Sequence, residues 1–193
     1  MSWYIDALIF VAAVWGILAA FQYMRSMLLG KAKPNRVTWL MWSVSPMIAA
    51  IAAAFNGAGL AAVPVFITGL SPLLVFLASF AIKDSYWRLG RFDYACCAFS
   101  VLALALWAVT QNPNVAIAFA IASDGSAAIP TIAKTFGHPE SESVGIYVFS
   151  IFSAIVAMLA AKSFDFSSYA FPVYIVVLSV LLTVLICRKR IML

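Results

Sequence analysis

Seven long apolar segments, separated by short polar ones, form the most regular pattern in the chain. They comprise residues 3–24, 37–55, 60–82, 94–110, 115–133, 144–161 and 169–187. Each is close to the length of about 20 residues that an α-helix needs to cross a bilayer. Charged residues are scarce within them, because the bilayer core holds no water to solvate a charge. The pattern predicts an all-α membrane protein with seven transmembrane helices.

The composition argues against a soluble globular protein. Apolar residues make up 65% of the 193 residues and charged residues only 10%, whereas soluble domains carry about 25% charged residues. The three cysteines include no CxxC pair, and His138 is the only histidine. Neither a disulfide framework nor a metal site is therefore predicted, and no cofactor is predicted either.

The basic residues lie almost entirely in alternate loops and the C-terminal tail. Eleven of the twelve fall between the first and second predicted helices, after the third, after the fifth and after the seventh, while the other loops hold only Lys162. The positive-inside rule places the basic loops in the cytoplasm. We therefore expect a multi-pass protein of the cell (inner) membrane with its N-terminus outside and its C-terminus cytoplasmic. Anionic lipid head groups account for the net charge of +5, so the bilayer rather than a nucleic acid is the expected partner.

An internal repeat relates the third predicted helix to the seventh. AVPVFITGLSPLL at 62–74 and AFPVYIVVLSVLL at 170–182 are identical at eight of thirteen positions without a gap. Weaker matches relate 15–22 to 124–131 at nearly the same offset, so that Trp15 corresponds to Asp124. The repeat predicts two parallel three-helix units, 1–83 and 113–193, joined by a linker helix within 84–112. Such units are related by an axis along the membrane normal.

Two short stretches and the 3+1+3 layout resemble the SWEET and PQ-loop transporters, which include the cystinosin-like carriers. Residues 129–143, IPTIAKTFGHPESES, resemble the second PQ-loop motif, with Pro130 at the proline and Thr131 in place of the glutamine. Gln22 occupies the glutamine of the first motif, which lacks the proline here. The resemblance implies a small-solute transporter that works by alternating access. SWEET sugar carriers have an asparagine in the third and seventh helices, and its absence from both helices here disfavours a sugar.

The same resemblance leaves a second interpretation open. The group includes a receptor that retrieves lumenal proteins, so the chain could be a receptor or accessory subunit that binds a ligand without transporting it. The outer loops, 56–59 and 111–114, are very short, which disfavours capture of a large ligand. An enzyme is not predicted, because the acids and the histidine do not cluster as catalytic groups do. A small-molecule substrate is expected, and a homo-oligomer is compatible with the sequence.

Asp124 is the most informative residue because it lies near the middle of the fifth predicted helix. An unpaired acid at that depth costs about 3 kcal/mol on insertion scales, and no Lys or Arg lies inside a predicted span. The carboxyl group is therefore expected to be protonated, to face a water-filled cavity or to meet a cationic ligand. A neutral carboxyl group bonded to a neighbouring helix is the alternative. Resemblance to the proton-coupled cystinosin-like carriers favours a role in proton coupling.

Other residues are candidates for the substrate site or for hinges. Ser71 and Ser179 match in the repeat, although serine hydroxyls also bond to their own helix. Trp39 and Trp42 share a helix face, and an interfacial aromatic belt is the alternative interpretation, chiefly for Trp39. Besides Asp124, the predicted substrate-site residues are Trp15, Trp42, Phe66, Ser71, Tyr174 and Ser179. The predicted hinges, for which static kinks are the alternative, are Pro46, Pro64, Pro72, Pro130 and Pro172.

Overall fold

The computed structural model describes residues 3–55, 63–82, 86–109, 113–161, 164 and 166–191. Within these ranges the chain is all-α, with seven α-helices and no β-strand, as the apolar pattern predicts. One 3-10 turn, Pro139–Ser141, precedes the sixth helix. Of the residues at the predicted domain boundaries, 83/84 and 112/113, the first three lie outside these ranges. The helices are α1 (Trp3–Leu28), α2 (Arg36–Phe55), α3 (Val63–Ala81), α4 (Arg91–Val109), α5 (Pro113–Gly137), α6 (Val144–Ala160) and α7 (Phe166–Ile191).

Two helices continue beyond the apolar segments that predict them. α1 extends past residue 24 to Leu28, and α5 extends past residue 133 to Gly137. Met27 in the first extension and Thr135 in the second are buried, so packing of one face maintains the helix where the apolar run ends. Gly30, two residues after the end of α1, has a φ of 68°, the left-handed conformation that glycine adopts without steric cost.

In the part of the chain that the structure describes, two helical stretches, Trp3–Leu28 and Tyr169–Arg188, are long and apolar enough to cross a membrane. Phe66–Ala81 and Val144–Ala160 are apolar but shorter. Large apolar side chains also lie on the outer surface of the bundle, well away from the core. Among the most exposed within helices are Phe10, Leu18, Phe80, Phe99 and Val177.

The helices pack in two groups of three, and the same contacts occur in each group. In the first group, α3 lies against both α1 and α2; in the second, α7 lies against both α5 and α6. Contacts between the groups join α1 to α6 and α2 to α5, while α4 packs against α5 and α2. The contacts are therefore symmetric: if α1, α2 and α3 are equated with α5, α6 and α7, every contact except those of α4 has a counterpart.

A close approach of two helices fixes the first group. A Cβ atom added at Gly69 of α3 would lie 2.8 Å from Met47 Cγ and 3.0 Å from both the Met47 nitrogen and the Ser43 carbonyl oxygen of α2. Small residues at such positions let helix backbones come together, which is common where helices pack in membranes. Gly69 is therefore a packing residue between α2 and α3.

The main apolar core lies in the half of the bundle where α1 ends and α2 begins. Tyr23 and Met27 of α1, Trp39 of α2, Tyr147 of α6 and Leu182 of α7 belong to it, and each is at most 3% exposed. Because both three-helix groups contribute side chains, this core holds the groups together at that end. The opposite half of the bundle contains a cavity.

Candidate functional site

A cavity of about 610 Å³ lies between the two three-helix groups. All the helices except α4 contribute to the wall described here. It is bordered by the N-terminal halves of α1 and α5, at Ile9 and Ile117, and by almost the full length of α6. At its inner end it stops at Trp39, Tyr147 and Leu182, which belong to the apolar core. Its volume is within the range of about 300–1,000 Å³ that is usual for small-molecule sites.

Asp124 is in the wall of this cavity, as one of the sequence interpretations expects. Among the wall residues that the structure describes, its side chain is the only one with a carboxyl or cationic group. The Tyr174 hydroxyl of α7 donates a hydrogen bond to Asp124 Oδ2 at 2.7 Å. A Cβ atom added at Gly125 would lie 3.6 Å from the Tyr174 hydroxyl oxygen, an ordinary van der Waals contact. Tyr174 is not itself in the wall, so it is placed to position the carboxyl group rather than to line the cavity.

Two tryptophans of α2 close the inner end of the cavity. Trp39 and Trp42 pack edge-to-face with ring centroids 5.6 Å apart, and Trp42 also meets the Tyr147 ring at 6.4 Å. Both indole nitrogens are buried, and neither makes a hydrogen bond of ordinary geometry to a described residue; that of Trp39 is near the Tyr23 hydroxyl, and that of Trp42 is near the Asp124 carboxyl group. Trp39 is only 1% exposed, so its interpretation as an interfacial belt residue is wrong. Buried donors of this kind usually have a partner, and a ligand or water in the cavity would supply one.

The other predicted substrate-site residues divide into those at the wall and those away from it. Ser71 and Ser179 are buried and both line the cavity, and the Ser71 hydroxyl donates to the Ile67 carbonyl of its own helix at 3.2 Å. Phe66 and Trp15 are 39% and 37% exposed and are not among the wall residues. Trp15 packs instead on the rings of Phe149 and Phe152 of α6, with centroid distances of 6.3 and 4.9 Å.

Three of the predicted hinge prolines, Pro46, Pro72 and Pro172, line the cavity from α2, α3 and α7. Pro130 is buried in α5 but is not among the wall residues. Pro64 is in the first turn of α3 as described, where a missing amide proton removes no hydrogen bond within the helix; its side chain lies outside the described residues. The prolines that touch the cavity therefore come from both three-helix groups.

Gln22 and Thr131, the two positions compared above with the glutamine of a PQ-loop motif, lie at corresponding helix contacts. The Thr131 hydroxyl of α5 is buried and donates to the Thr38 hydroxyl of α2 at 2.9 Å. Thr38 in turn donates to the Ala127 carbonyl at 2.6 Å. Gln22 of α1 lies against Gly145 of α6, where an added Cβ atom would be 2.6 Å from its amide oxygen. One motif position thus packs at the α2–α5 contact and the other at the α1–α6 contact.

A buried polar cluster beyond the inner end of the cavity was not predicted. We call Tyr23, Lys134, Glu142 and Tyr147 the inner polar cluster. Glu142 and Lys134 form an ion pair in which both side chains are fully buried. The Tyr23 and Tyr147 hydroxyls donate to Glu142 Oε2 at 2.7 and 3.0 Å. The cluster connects directly to the cavity, because the Tyr147 side chain also forms part of the wall.

Main-chain contacts tie the inner polar cluster to the loop between α1 and α2. Lys134 Nζ donates to the Lys33 carbonyl at 2.6 Å, and the Lys33 amide donates to the Ser141 carbonyl at 2.7 Å. A buried acid can be recognised in a sequence when its carboxyl group lies inside an apolar run. Glu142 lacks this signal, because it follows Pro139 in a polar stretch. Its side chain is buried only because the fold packs this stretch against α1 and α5.

Comparison with protein families, curated proteins and solved structures found no match to this chain.

Proposed function

We propose that the chain is a multi-pass membrane carrier of the SWEET and PQ-loop type that moves a small solute by alternating access. All seven helices would cross the bilayer, with the N-terminus outside and the C-terminus in the cytoplasm. The observation that carries the proposal is the cavity between the two three-helix groups, with Asp124 in its wall. Carriers built from repeats hold the substrate at such an interface, near the middle of the membrane.

The pairing of the helices supports two parallel repeats. The contacts α1–α3, α2–α3 and α1–α6 correspond to α5–α7, α6–α7 and α2–α5. An axis along the membrane normal that relates the first three helices to the last three gives this correspondence. The eight identities between the third and seventh helices favour the same arrangement. The fourth helix then serves as the linker that returns the chain to the outer side.

Alternating access assigns a role to the inner polar cluster. The cavity occupies the half of the bundle that holds the α1 N-terminus, so in the proposed orientation it belongs to an outward-facing state. A passage to the cytoplasm requires Tyr23 to separate from Glu142 and the loop at Lys33 to separate from Ser141, because each of these contacts joins the two groups. The cluster would then form the inner barrier.

Flux through the purified protein in liposomes tests the proposal. Liposomes are loaded with an unlabelled solute, and entry of the labelled solute is followed for amines, amino acids, sugars, nucleosides and carboxylates. A carrier gives transient accumulation of at least one solute that protein-free liposomes lack. Binding of a solute without any flux would contradict the carrier and favour a receptor or accessory subunit.

Proton coupling is tested with Asp124→Asn and a matched control. This change retains the shape of the side chain but removes its titration. If protons drive transport, uptake driven by a pH gradient should be abolished, while exchange survives for any solute whose binding does not depend on the Asp124 charge. Asp6→Asn removes the same charge from the exposed first turn of α1, away from the cavity, and should behave like the unmodified protein. Equal gradient-driven uptake by all three proteins would remove Asp124 from the coupling step.

A further inference from the structure

The charges around the cavity favour a ligand of one sign. Asp124 supplies a carboxyl group, and no Lys, Arg or His is among the described wall residues. A ligand carboxylate would enter this space without a counter-ion, and an unpaired charge in a poorly hydrated site is costly. A ligand ammonium group would instead meet the Asp124 carboxylate. Tyr174 favours such an ion pair, because its hydroxyl group donates a hydrogen bond to Asp124 and so stabilises the ionised carboxylate.

Most side chains in the wall are apolar, which disfavours a ligand rich in hydroxyl groups. The Ser71 and Ser150 hydroxyls donate to carbonyls of their own helices at 3.2 and 3.0 Å, and the Tyr147 hydroxyl donates to Glu142. The indole N–H groups of Trp39 and Trp42 are two of the three buried side-chain groups in the described part of the chain that lack a hydrogen bond of ordinary geometry; the third, the Thr183 hydroxyl, is not in the wall. The other side chains at the wall are mostly Ala, Ile, Leu, Pro and Phe, which suit an apolar body.

Aromatic side chains occupy the wall on several sides. Trp39, Trp42, Tyr147 and Phe149 surround the inner end, and Phe171 contributes from α7. The faces of aromatic rings attract ammonium groups and also pack against apolar or aromatic ligand bodies. A single acid among aromatic and aliphatic side chains is a combination that suits amines.

We infer that the cavity binds a monovalent organic cation with an apolar body. Its ammonium group is held by Asp124, and its body lies against the aromatic side chains at the inner end. The site discriminates against the corresponding neutral and anionic compounds. This inference deepens the proposed function by naming the substrate class, but binding itself does not require that the protein be a carrier.

Three compounds that differ mainly in their polar end test the inference. Phenethylamine is protonated at neutral pH, 2-phenylethanol is a neutral analogue, and phenylacetate is an anionic one. Binding to the purified full chain in detergent is measured by calorimetry and by the rise in unfolding temperature that a ligand causes. We expect phenethylamine to bind more tightly than either analogue by about tenfold or more, since charge-assisted hydrogen bonds are the strong ones.

Variants assign the discrimination to the carboxyl group. Asp124→Asn should bind phenethylamine and 2-phenylethanol equally, whereas Asp6→Asn should retain the preference for the amine. Tyr174→Phe retains the carboxyl group and should keep a reduced preference, since its role is to position that group. Equal binding of amine and alcohol by the unmodified protein would overturn the inference. An amine preference that survives in Asp124→Asn would overturn it as well.

The inference and the carrier proposal fail in different ways. Asp124-dependent amine binding without flux in liposomes would leave the cation site standing and contradict the carrier. Flux of a sugar or a carboxylate, together with no amine preference, would uphold the carrier and contradict the cation site.

Discussion

Replacing Glu142 by Gln tests how much the inner polar cluster depends on its charge. Gln retains an oxygen that can accept hydrogen bonds from Tyr23 and Tyr147, but it removes the ion-pair partner of the fully buried Lys134 ammonium group and leaves only the weaker charge interaction with Asp93. Breaking a buried ion pair at one partner costs about 3–5 kcal/mol. Lys134 can limit this cost by losing its proton, which at pH 7 takes about 4.6 kcal/mol for a lysine whose ordinary pKa is about 10.4. We therefore expect a loss of about 3–4 kcal/mol in unfolding free energy.

The pH dependence of this variant gives a second and sharper prediction from the same perturbation. Lys134 lies just beyond the predicted span 115–133. Burial lowers the pKa of its amine, and Glu142 opposes that shift. Without Glu142, the folded state releases a proton that the unfolded state retains, so stability should rise with pH above neutrality. The expected slope approaches about 1.36 kcal/mol per pH unit until the unfolded lysine also titrates. The unmodified protein should show a smaller slope.

A double variant separates the unpaired charge from the loss of packing. Lys134→Met together with Glu142→Gln removes both charges and leaves the Lys33 carbonyl without its side-chain donor, a loss of about 1–2 kcal/mol. Unfolding is followed by tryptophan fluorescence in mixed micelles as SDS is added. The double variant should be more stable than Glu142→Gln alone. Lys134→Met alone is measured as well. If Glu142→Gln matches the unmodified protein, or if the losses of Glu142→Gln and Lys134→Met simply add in the double variant, the argument from a buried unpaired charge is wrong.

Two further predictions use matched pairs of positions. Gly69→Ala should lower the unfolding free energy by about 1–3 kcal/mol, because its Cβ would press on the α2 backbone beside Met47; Gly125→Ala, where the nearest atom is 3.6 Å away, should cost nothing, and equal losses would contradict this difference. Asn35→Ala should lower the unfolding free energy by about 1–2 kcal/mol, since its side chain accepts hydrogen bonds from two amides at the start of α2. Ser143→Ala, at an N-cap without such a bond, should be close to neutral. Thermal unfolding of the four variants checks both pairs.

The helices could be predicted from the sequence because an apolar run of sufficient length has few alternatives to a buried or membrane helix. Asp124 was identifiable for the same reason, since a carboxyl group inside such a run stands out from its surroundings. Ser71 and Ser179 could be paired because they occupy the same place in the repeat. In each case the signal is local, or it is a direct comparison of two stretches of the chain.

The remaining features depend on how distant segments meet, which a local pattern does not encode. Glu142 lies in an ordinary polar stretch, and its burial results from packing against α1 and α5. Trp15 matches Asp124 in the repeat, but its ring packs on Phe149 and Phe152 rather than facing the cavity. Trp39 had the position expected of an interfacial residue, yet the two helix groups enclose it. Equivalent positions in a repeat therefore need not have equivalent surroundings.

α4 makes the two contacts between the three-helix groups, α1–α6 and α2–α5, unequal. Asp93 in the first turn of α4 accepts a hydrogen bond from Asn35, the residue before α2, at 2.5 Å. The Ser100 hydroxyl of α4 and the Ser123 hydroxyl of α5 each donate to the main-chain carbonyl of the other residue, at 2.6 and 2.9 Å. α4 thus packs against both helices of the α2–α5 contact, while in the described part of the chain no helix packs against both α1 and α6. If the groups rotate relative to each other, we expect the α2–α5 contact to act as the pivot. Displacement grows with distance from a pivot, so it would be largest at α1 and α6, close to the contact between Tyr23 and Glu142.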